Sequence, residues 1–128
     1  MRAVYDTNVF ISGLFWHGPP RAVLEMAIKR DVDLVVSEHI LSEISSTLRD
    51  SFNIADAETE RILERILEIS TLVYPSRKVR AVRDKKDNRI LECALEGGCD
   101  YIVTGDKDLL VLKKYEGINI LTPREFLE

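Results

Sequence analysis

A chain of 128 residues is long enough to build one hydrophobic core without disulfides or structural metals. Its apolar fraction of 45% and charged fraction of 31% are typical of a soluble globular protein, and no apolar run is long enough to span a bilayer. Two cysteines are too few for a zinc site or a disulfide framework. We therefore expect one domain over residues 1–128, in the cytoplasm because the N-terminus lacks a signal-peptide pattern.

The net charge of −4 hides an uneven distribution. The segment from Arg77 to Arg89 holds seven basic and two acidic residues, which leaves 11 basic and 20 acidic residues in the rest of the chain. A basic segment on an acidic body can contact the phosphates of a nucleic acid. It can equally be a solvated loop, and the charge pattern alone does not decide between these two interpretations.

Strand patterns and helix patterns alternate along the whole chain. The first half holds a strand at 2–5, an apolar run at 9–16, a helix at 21–30, a strand at 33–36 and a helix capped by Ser37. A long helix at 57–72 capped by Asp56, a brief strand at 71–74 and a basic connection at 76–86 follow. The last part holds a helix ending at Gly97-Gly98, a strand at 100–104, a short helix at 109–115, a strand at 118–121 and a terminal turn that begins with a capping box at 122–125. This alternation predicts an α/β fold with a mainly parallel sheet.

Four acidic residues stand where a site above such a sheet could use them. Asp6 follows the first strand and Asp106 follows the strand at 100–104. Because ligand sites form outside the carboxyl ends of parallel strands, we expect these two acids to converge. Glu43 borders the apolar stripe of its helix, and Asp87 lies in the first turn of the helix behind the basic connection. The alternative is that Asp6 and Asp106 only cap the helices that follow their strands.

Such a cluster of acids needs a cation. Two carboxylates within ~4 Å repel by on the order of 4 kcal/mol at an effective dielectric near 20. Only oxygen ligands are at hand, because neither His17 nor His39 follows a metal-site pattern, so Mg²⁺ or Mn²⁺ is expected rather than Zn²⁺. One or two such ions can activate water and stabilise the leaving oxygen of a phosphodiester. Asp84 and Asp108 are further acids close to the predicted cluster.

Four segments resemble, in order and spacing, the motifs of the PIN-domain ribonucleases. They are Asp6-Thr-Asn-Val, Ser37-Glu-His-Ile-Leu-Ser-Glu43-Ile, Asp84-Lys-Lys-Asp87-Asn-Arg-Ile-Leu and Thr104-Gly-Asp-Lys-Asp-Leu109, and the closing run Ile120-Leu-Thr-Pro-Arg-Glu-Phe126 is also similar. The likeness extends over nearly the whole chain. It implies a three-layer α/β/α fold with a central, mainly parallel sheet of five strands. It also implies an Mg²⁺- or Mn²⁺-dependent endoribonuclease that hydrolyses RNA.

The resemblance assigns roles to single residues. The acidic quartet, which would bind the metal and carry out catalysis, consists of Asp6, Glu43, Asp87 and Asp106, with Asp6 and Asp106 as the main ligands. Asn8 and Thr104 match polar positions that orient these ligands, and Asp108 matches an acidic position that only some members share. The basic residues that would guide RNA towards the site are Arg80, Arg83, Lys85, Lys86 and Arg89.

Many small members of this family are toxins of prokaryotic toxin–antitoxin pairs. The resemblance therefore implies an antitoxin protein as partner and leaves a homodimer or higher oligomer open. Phe10, Phe15 and Trp16 would form the dimer or antitoxin surface, or alternatively pack beneath their loop. The competing function is a catalytically silent PIN-like module that binds RNA or protein, and the intact acidic quartet argues against it.

Overall fold

The structure is a computed structural model that describes residues 1–128. Its strands are β1 (Arg2–Tyr5), β2 (Asp33–Ser37), β3 (Ser70–Val73), β4 (Tyr101–Val103), β5 (Lys114–Tyr115) and β6 (Ile118–Leu121). Its helices are α1 (Thr7–Phe15), α2 (Pro19–Ile28), α3 (Glu38–Asp50), α4 (Asp56–Glu68), α5 (Lys85–Glu96), α6 (Lys107–Leu110) and α7 (Pro123–Leu127). None of these helices combines the length and the apolar character needed to cross a membrane.

The strands form one sheet in the order β3-β2-β1-β4-β6-β5. All neighbouring pairs are parallel except β5 and β6, which pair in the antiparallel sense. The predicted α/β class with a mainly parallel sheet is confirmed, but the sheet has six strands instead of five. The additional strand is β5, which joins β6 through a tight turn at Glu116 and Gly117.

Backbone geometry explains the additional strand. Both turn residues have positive φ, 47° at Glu116 and 86° at Gly117. Two successive positive φ angles are the geometry that joins two antiparallel strands most tightly. The helix predicted at 109–115 therefore ends at Leu110, and Lys114–Tyr115 becomes a strand.

Tertiary pairing also corrects the predicted long helix at 57–72. The helix α4 ends at Glu68 because the residues after Ile69 pair with β2, with Ser70 opposite Leu34. At its other end Asp56 is the first helical residue, so the predicted cap falls one residue earlier, at Ala55.

The central strands form the core of the sheet and position the site. Strands β1, β2 and β4 are buried along almost their whole length, as expected for parallel strands covered on both faces. Strand β1 lies between β2 and β4. The chain adds β2 and β3 on one side of β1 and then returns to add β4, β6 and β5 on the other side. A crevice forms at the carboxyl ends of the strands where the order reverses in this way. The residues that follow β1 and β4 therefore meet there.

Candidate functional site

The ends of β1 and β4 place Asp6 against Thr104. Tyr5 and Val103 are paired across the two strands, and the Asp6 backbone N–H donates to the Val103 carbonyl at 2.9 Å. The Thr104 hydroxyl then donates to Asp6 Oδ2 at 2.7 Å. Both side chains are buried. Thr104 therefore fixes the orientation of the Asp6 carboxylate, in keeping with the orienting task that the sequence predicted for it.

Burial also changes the acidity of Asp6. Loss of solvent raises the pKa of its carboxyl group, and the hydrogen bond from Thr104 lowers it by a smaller amount. The charges of Glu43 and Asp106 raise the pKa further. Asp6 occupies the N-cap position of α1, but its side chain makes no capping hydrogen bond. Helix capping therefore does not account for the Asp6 carboxylate.

Asp106 combines a structural position with access to the site. Its Oδ1 accepts the backbone N–H of Asp108 at 2.8 Å and so caps the short helix α6. The capping interpretation therefore holds for this residue. The cap engages one oxygen, and the side chain still lines the same cleft as Asp6.

The helix α5 brings Asp87 to the cleft. Asp84 caps this helix by accepting the backbone N–H of Lys86 at 2.9 Å, so Asp87 lies in its first turn. Asp87 is only 6% exposed, and its Oδ2 has no hydrogen-bond partner. Burial raises the pKa of Asp87 to about 7, and the charges of neighbouring acids, above all Asp106, add to the shift. A buried carboxylate oxygen without a partner is costly unless a ligand satisfies it.

All four members of the acidic quartet line one cleft of about 240 Å³. Asn8, Thr7 and Thr47 also line it, and Lys86 is its only basic residue. One carboxylate oxygen from each of Asp87, Asp106 and Asp108 lies within 4.8 Å of the other two. The structure thus brings the quartet together as the sequence predicted, and it places Asp108 nearer the cluster than the resemblance alone indicated. The catalytic roles of these residues stay predictions.

The cleft fits a hard divalent cation. Its donors are carboxylate oxygens from several elements, the kind of ligand that Mg²⁺ and Mn²⁺ prefer. The unpartnered Oδ2 of Asp87 and the raised pKa values of Asp6 and Asp87 both indicate negative charge that the protein itself does not compensate. Asp87, Asp106 and Asp108 could share such an ion through the three oxygens that lie within 4.8 Å of one another, and Asp6 lines the same cleft.

Glu43 and Lys86 close one side of the cleft. Glu43 projects from α3, and Lys86 Nζ lies 3.8 Å from its Oε2. The lysine is largely exposed, so this pair contributes at most about 1 kcal/mol.

The other predicted RNA-binding residues are more dispersed. Arg80, Arg83 and Lys85 are exposed and none of them lines the cleft. Arg89 is half-buried, and its Nε lies 2.8 Å from Glu92 Oε1 at an angle that makes the contact an ion pair and not a hydrogen bond. Only Lys86 therefore adjoins the acids directly.

The predicted aromatic surface is partly wrong. Phe10 is completely buried and packs against Tyr5, with ring centroids 5.9 Å apart, because it lies on the core face of α1. Phe15 and Trp16 are exposed as predicted. They form a cluster with Phe52, whose ring is stacked on that of Phe15 at 4.6 Å.

A row of polar residues on α5 was missed by the sequence analysis. Asn88 accepts hydrogen bonds from the backbone N–H groups of Ala81 and Val82, at 3.1 and 3.0 Å, and donates to the Val82 carbonyl at 2.9 Å. One turn on, Glu92 accepts the Val79 N–H at 2.8 Å. These side chains hold the basic connection against α5. The available signal was their spacing of four residues, which places them on one face of the helix.

The raised pKa of Asp87 makes the stability of the metal-free protein depend on pH. Its carboxyl group titrates near 3.8 when unfolded and near 7 when folded, so between these values the folded state binds more protons. The free energy of unfolding therefore falls as the pH rises through this window. In EDTA we expect the Tm at about pH 8 to lie about 3 °C or more below that at about pH 5.5. Thermal unfolding followed by circular dichroism measures this, and a Tm that rises with pH contradicts it.

Comparison with known proteins agrees with this geometry. The sequence profile of the PIN domain matches residues 2–108. No curated protein matches the sequence significantly. A similar solved structure is VapBC2 from Rickettsia felis bound to a DNA fragment from its promoter, with 16% identity, a TM-score of 0.67 and coverage of 94% of this chain and 97% of that chain. VapBC-1 from nontypeable Haemophilus influenzae has 16% identity and a TM-score of 0.63, with coverage of 97% of this chain and 99% of that chain. A toxin–antitoxin complex from Klebsiella pneumoniae has 16% identity and a TM-score of 0.62, with coverage of 94% of this chain and 97% of that chain.

At 16% identity these structures establish the likeness of the fold alone. The match to the sequence profile is independent of them and extends from β1 to the acids that follow β4. It includes every member of the acidic quartet. The chain therefore belongs to the PIN-domain family.

Proposed function

We propose that this protein is an Mg²⁺- or Mn²⁺-dependent endoribonuclease that hydrolyses internal phosphodiester bonds of RNA. The observation that carries this proposal is the single cleft lined by Asp6, Glu43, Asp87 and Asp106, in which Asp87 Oδ2 has no partner within the protein. Family membership supports it, because PIN domains are generally nucleases.

The residues of the cleft have distinct tasks in this proposal. Asp6, held by Thr104, and Asp106 would be the main ligands of the cation, Glu43 and Asp87 would complete the site directly or through water, and Asn8 and Asp108 would support these ligands. A bound divalent cation supplies Lewis-acid polarisation of the scissile phosphate and lowers the pKa of water. Glu43 or Asp87 accepts the proton of the attacking water.

We further propose that the protein is the toxin of a prokaryotic toxin–antitoxin pair and acts in the cytoplasm. The similarity of its fold to two VapBC proteins and to a toxin–antitoxin complex supports an antitoxin partner. The cluster in which exposed Phe15 and Trp16 pack on the half-buried Phe52 is a suitable contact surface for that protein, because exposed aromatic side chains are enriched at interfaces.

The basic connection serves the substrate in this proposal. Arg80, Arg83 and Lys85 are exposed, and none of them forms an ion pair. They attract RNA towards the cleft through long-range electrostatics, which depends on salt and not on sequence. Lys86 and Arg89, the other two predicted RNA-binding residues, line a concavity together with Glu43.

Cleavage of a single-stranded RNA by the purified protein tests the ribonuclease proposal. We expect internal cuts with Mn²⁺, none with EDTA, and a loss of about 100-fold or more for Asp6→Asn, since replacing even an outer partner of a metal ligand costs about 10- to 100-fold. Asp33→Asn is the matched control, because this exposed aspartate is the first residue of β2, at the opposite end of the parallel strands from the cleft. Activity that survives EDTA contradicts the metal mechanism. RNA binding without cleavage in Mn²⁺ indicates the silent binding module instead.

A further inference from the structure

The acidic cleft continues into a groove between α3 and α5. A concavity of about 250 Å³ shares Glu43 and Lys86 with the cleft. A second concavity of about 460 Å³ shares His39, Ser42 and Arg89 with the first. These two concavities form one path, which we call the α3–α5 groove, from the carboxylates to the residues that follow β3.

Hydrogen-bond donors dominate the walls of this groove near the cleft. His39, Ser42 and Ser46 lie at positions i, i+3 and i+7 of α3, on one face of the helix, and all three are exposed. Lys86 and Arg89 face them from α5. Such a row of hydroxyl groups and cations complements the phosphates of a nucleic acid.

Most of the acids along the groove are already engaged. Glu92 accepts the Val79 N–H at 2.8 Å and pairs with Arg89. Glu43 belongs to the acidic cleft itself, which leaves Glu38 as the one exposed acid at the far rim that forms no ion pair. An anionic chain can therefore lie along the groove without meeting a row of free carboxylates.

The far end of the groove offers an aromatic ring and an unpaired cation. Tyr74 is 66% exposed and lines this end together with Lys78. Arg77 also lies there, but both of its terminal nitrogens bind Glu116, at 2.8 and 2.5 Å. Exposed aromatic rings beside cations are the usual platforms for the bases of single-stranded nucleic acids.

We propose that the α3–α5 groove holds the RNA strand on one side of the scissile phosphate, an inference that rests on the proposed ribonuclease function. Phosphates next to the cleft bind Lys86 and the hydroxyl groups of Ser42 and Ser46. Further along, a base stacks on Tyr74 and a phosphate contacts Lys78. Sequence reasoning could not identify this path, because its residues come from two helices and a loop that only the tertiary fold brings together.

Binding of a fluorescein-labelled single-stranded RNA, measured by anisotropy in EDTA with Asp87→Asn protein, tests the groove without cleavage. Tyr74→Ala should raise the Kd about fivefold or more through loss of stacking, while Tyr74→Phe, which keeps the ring, should stay within about twofold. Lys78→Ala should reduce the slope of log K against log salt by about 0.7, the value for one lost contact to a single strand. Lys29→Ala is the control, because this exposed lysine follows α2 outside the groove.

The outcomes separate the two proposals. If wild-type protein cuts RNA but Tyr74→Ala and Lys78→Ala leave the Kd and the salt slope of RNA binding unchanged, the groove proposal is wrong and the ribonuclease proposal stands. The groove proposal is also wrong if Lys29→Ala changes the salt slope as much as Lys78→Ala. Loss of any surface lysine would then weaken RNA binding equally, whether or not it lines the groove. If wild-type protein neither binds nor cuts RNA, both proposals fail. All three substituted residues are exposed, so an unchanged Tm verifies that each variant is folded.

Discussion

Replacing Asp87 with asparagine is expected to stabilise the metal-free protein and at the same time to abolish RNA cleavage. At about pH 8 the carboxyl group is ionised although it is buried, and its pKa is raised from 3.8 to about 7. This rise in the pKa of Asp87 corresponds to at most about 4 kcal/mol. Solvent screening in the open cleft reduces this figure, and we expect a gain of about 1–2 kcal/mol in the free energy of unfolding.

The same substitution removes a carboxylate from the cation site. Asparagine keeps one oxygen but not the charge, so the variant should lose most of the increase in Tm that Mn²⁺ gives the wild type. Cleavage should fall by about 100-fold or more, for the reason given for Asp6. Urea unfolding in EDTA, thermal unfolding with and without Mn²⁺ and the RNA cleavage assay measure the three effects.

Asp33→Asn is the control for these measurements, because it removes an exposed carboxylate at the opposite end of the parallel strands from the cleft. It should change neither the stability in EDTA nor the response to Mn²⁺. Asp87→Asn should in addition flatten the dependence of stability on pH that burial of this group causes. A variant that is less stable than the wild type in EDTA at about pH 8 contradicts the cost assigned to the buried Asp87 charge, and a variant that keeps the full Mn²⁺ response contradicts the assignment of Asp87 to the cation site.

The sequence was sufficient for those parts of the site that depend on local patterns. Asp6 and Asp106 could be placed at strand ends because a short apolar strand followed by an acid is visible without tertiary information. The parallel arrangement then made their convergence a consequence of topology. Glu43 was found for a similar reason, since its position at the edge of an apolar helical stripe fixes the direction of its side chain.

Other features of the fold and of the site do not follow from local sequence patterns. Thr104 and Asp6 are 98 positions apart, so their hydrogen bond could be expected only from the family resemblance. For Phe10 the sequence left a partner surface and internal packing both open, because an aromatic residue in an apolar run looks the same in either case, and the structure buries it in the core. The strand β5 escaped detection because two residues are too short for a periodic pattern.

Replacing Glu92 with alanine is expected to be among the most destabilising single changes outside the apolar core. Glu92 is buried on α5, where it pairs with the half-buried Arg89 and accepts the Val79 N–H. Truncation leaves a cation and a backbone donor without partners. Removing one member of a buried pair costs about 3–5 kcal/mol. Because Arg89 can turn partly towards the α3–α5 groove, we expect a loss of about 3 kcal/mol.

Two further variants separate the charge from the backbone contact. Glu92→Gln keeps an acceptor for the Val79 N–H but loses the ion pair with Arg89. Its free energy of unfolding should therefore lie between those of the wild type and Glu92→Ala. Glu96→Ala is the matched control, because Glu96 lies one turn further along the same face and accepts the Ser76 N–H at 2.9 Å while remaining exposed. It should cost about 0.5–1.5 kcal/mol, because its two hydrogen bonds, from the N–H and the hydroxyl group of Ser76, are both exposed to solvent. Urea unfolding at a fixed pH compares all three variants with the wild type.

The difference between Glu92→Ala and Glu96→Ala shows whether a buried carboxylate fixes the basic connection. If it does, the far wall of the α3–α5 groove depends on Glu92, and Glu92→Ala should also speed cleavage by trypsin after the exposed Lys78 and Arg80, because the backbone there opens more often. Equal costs for the two variants, with unchanged proteolysis, would mean that Asn88 alone holds the connection through its contacts with Ala81 and Val82. The groove would then keep its shape without the ion pair, and Arg89 would be free to bind phosphate.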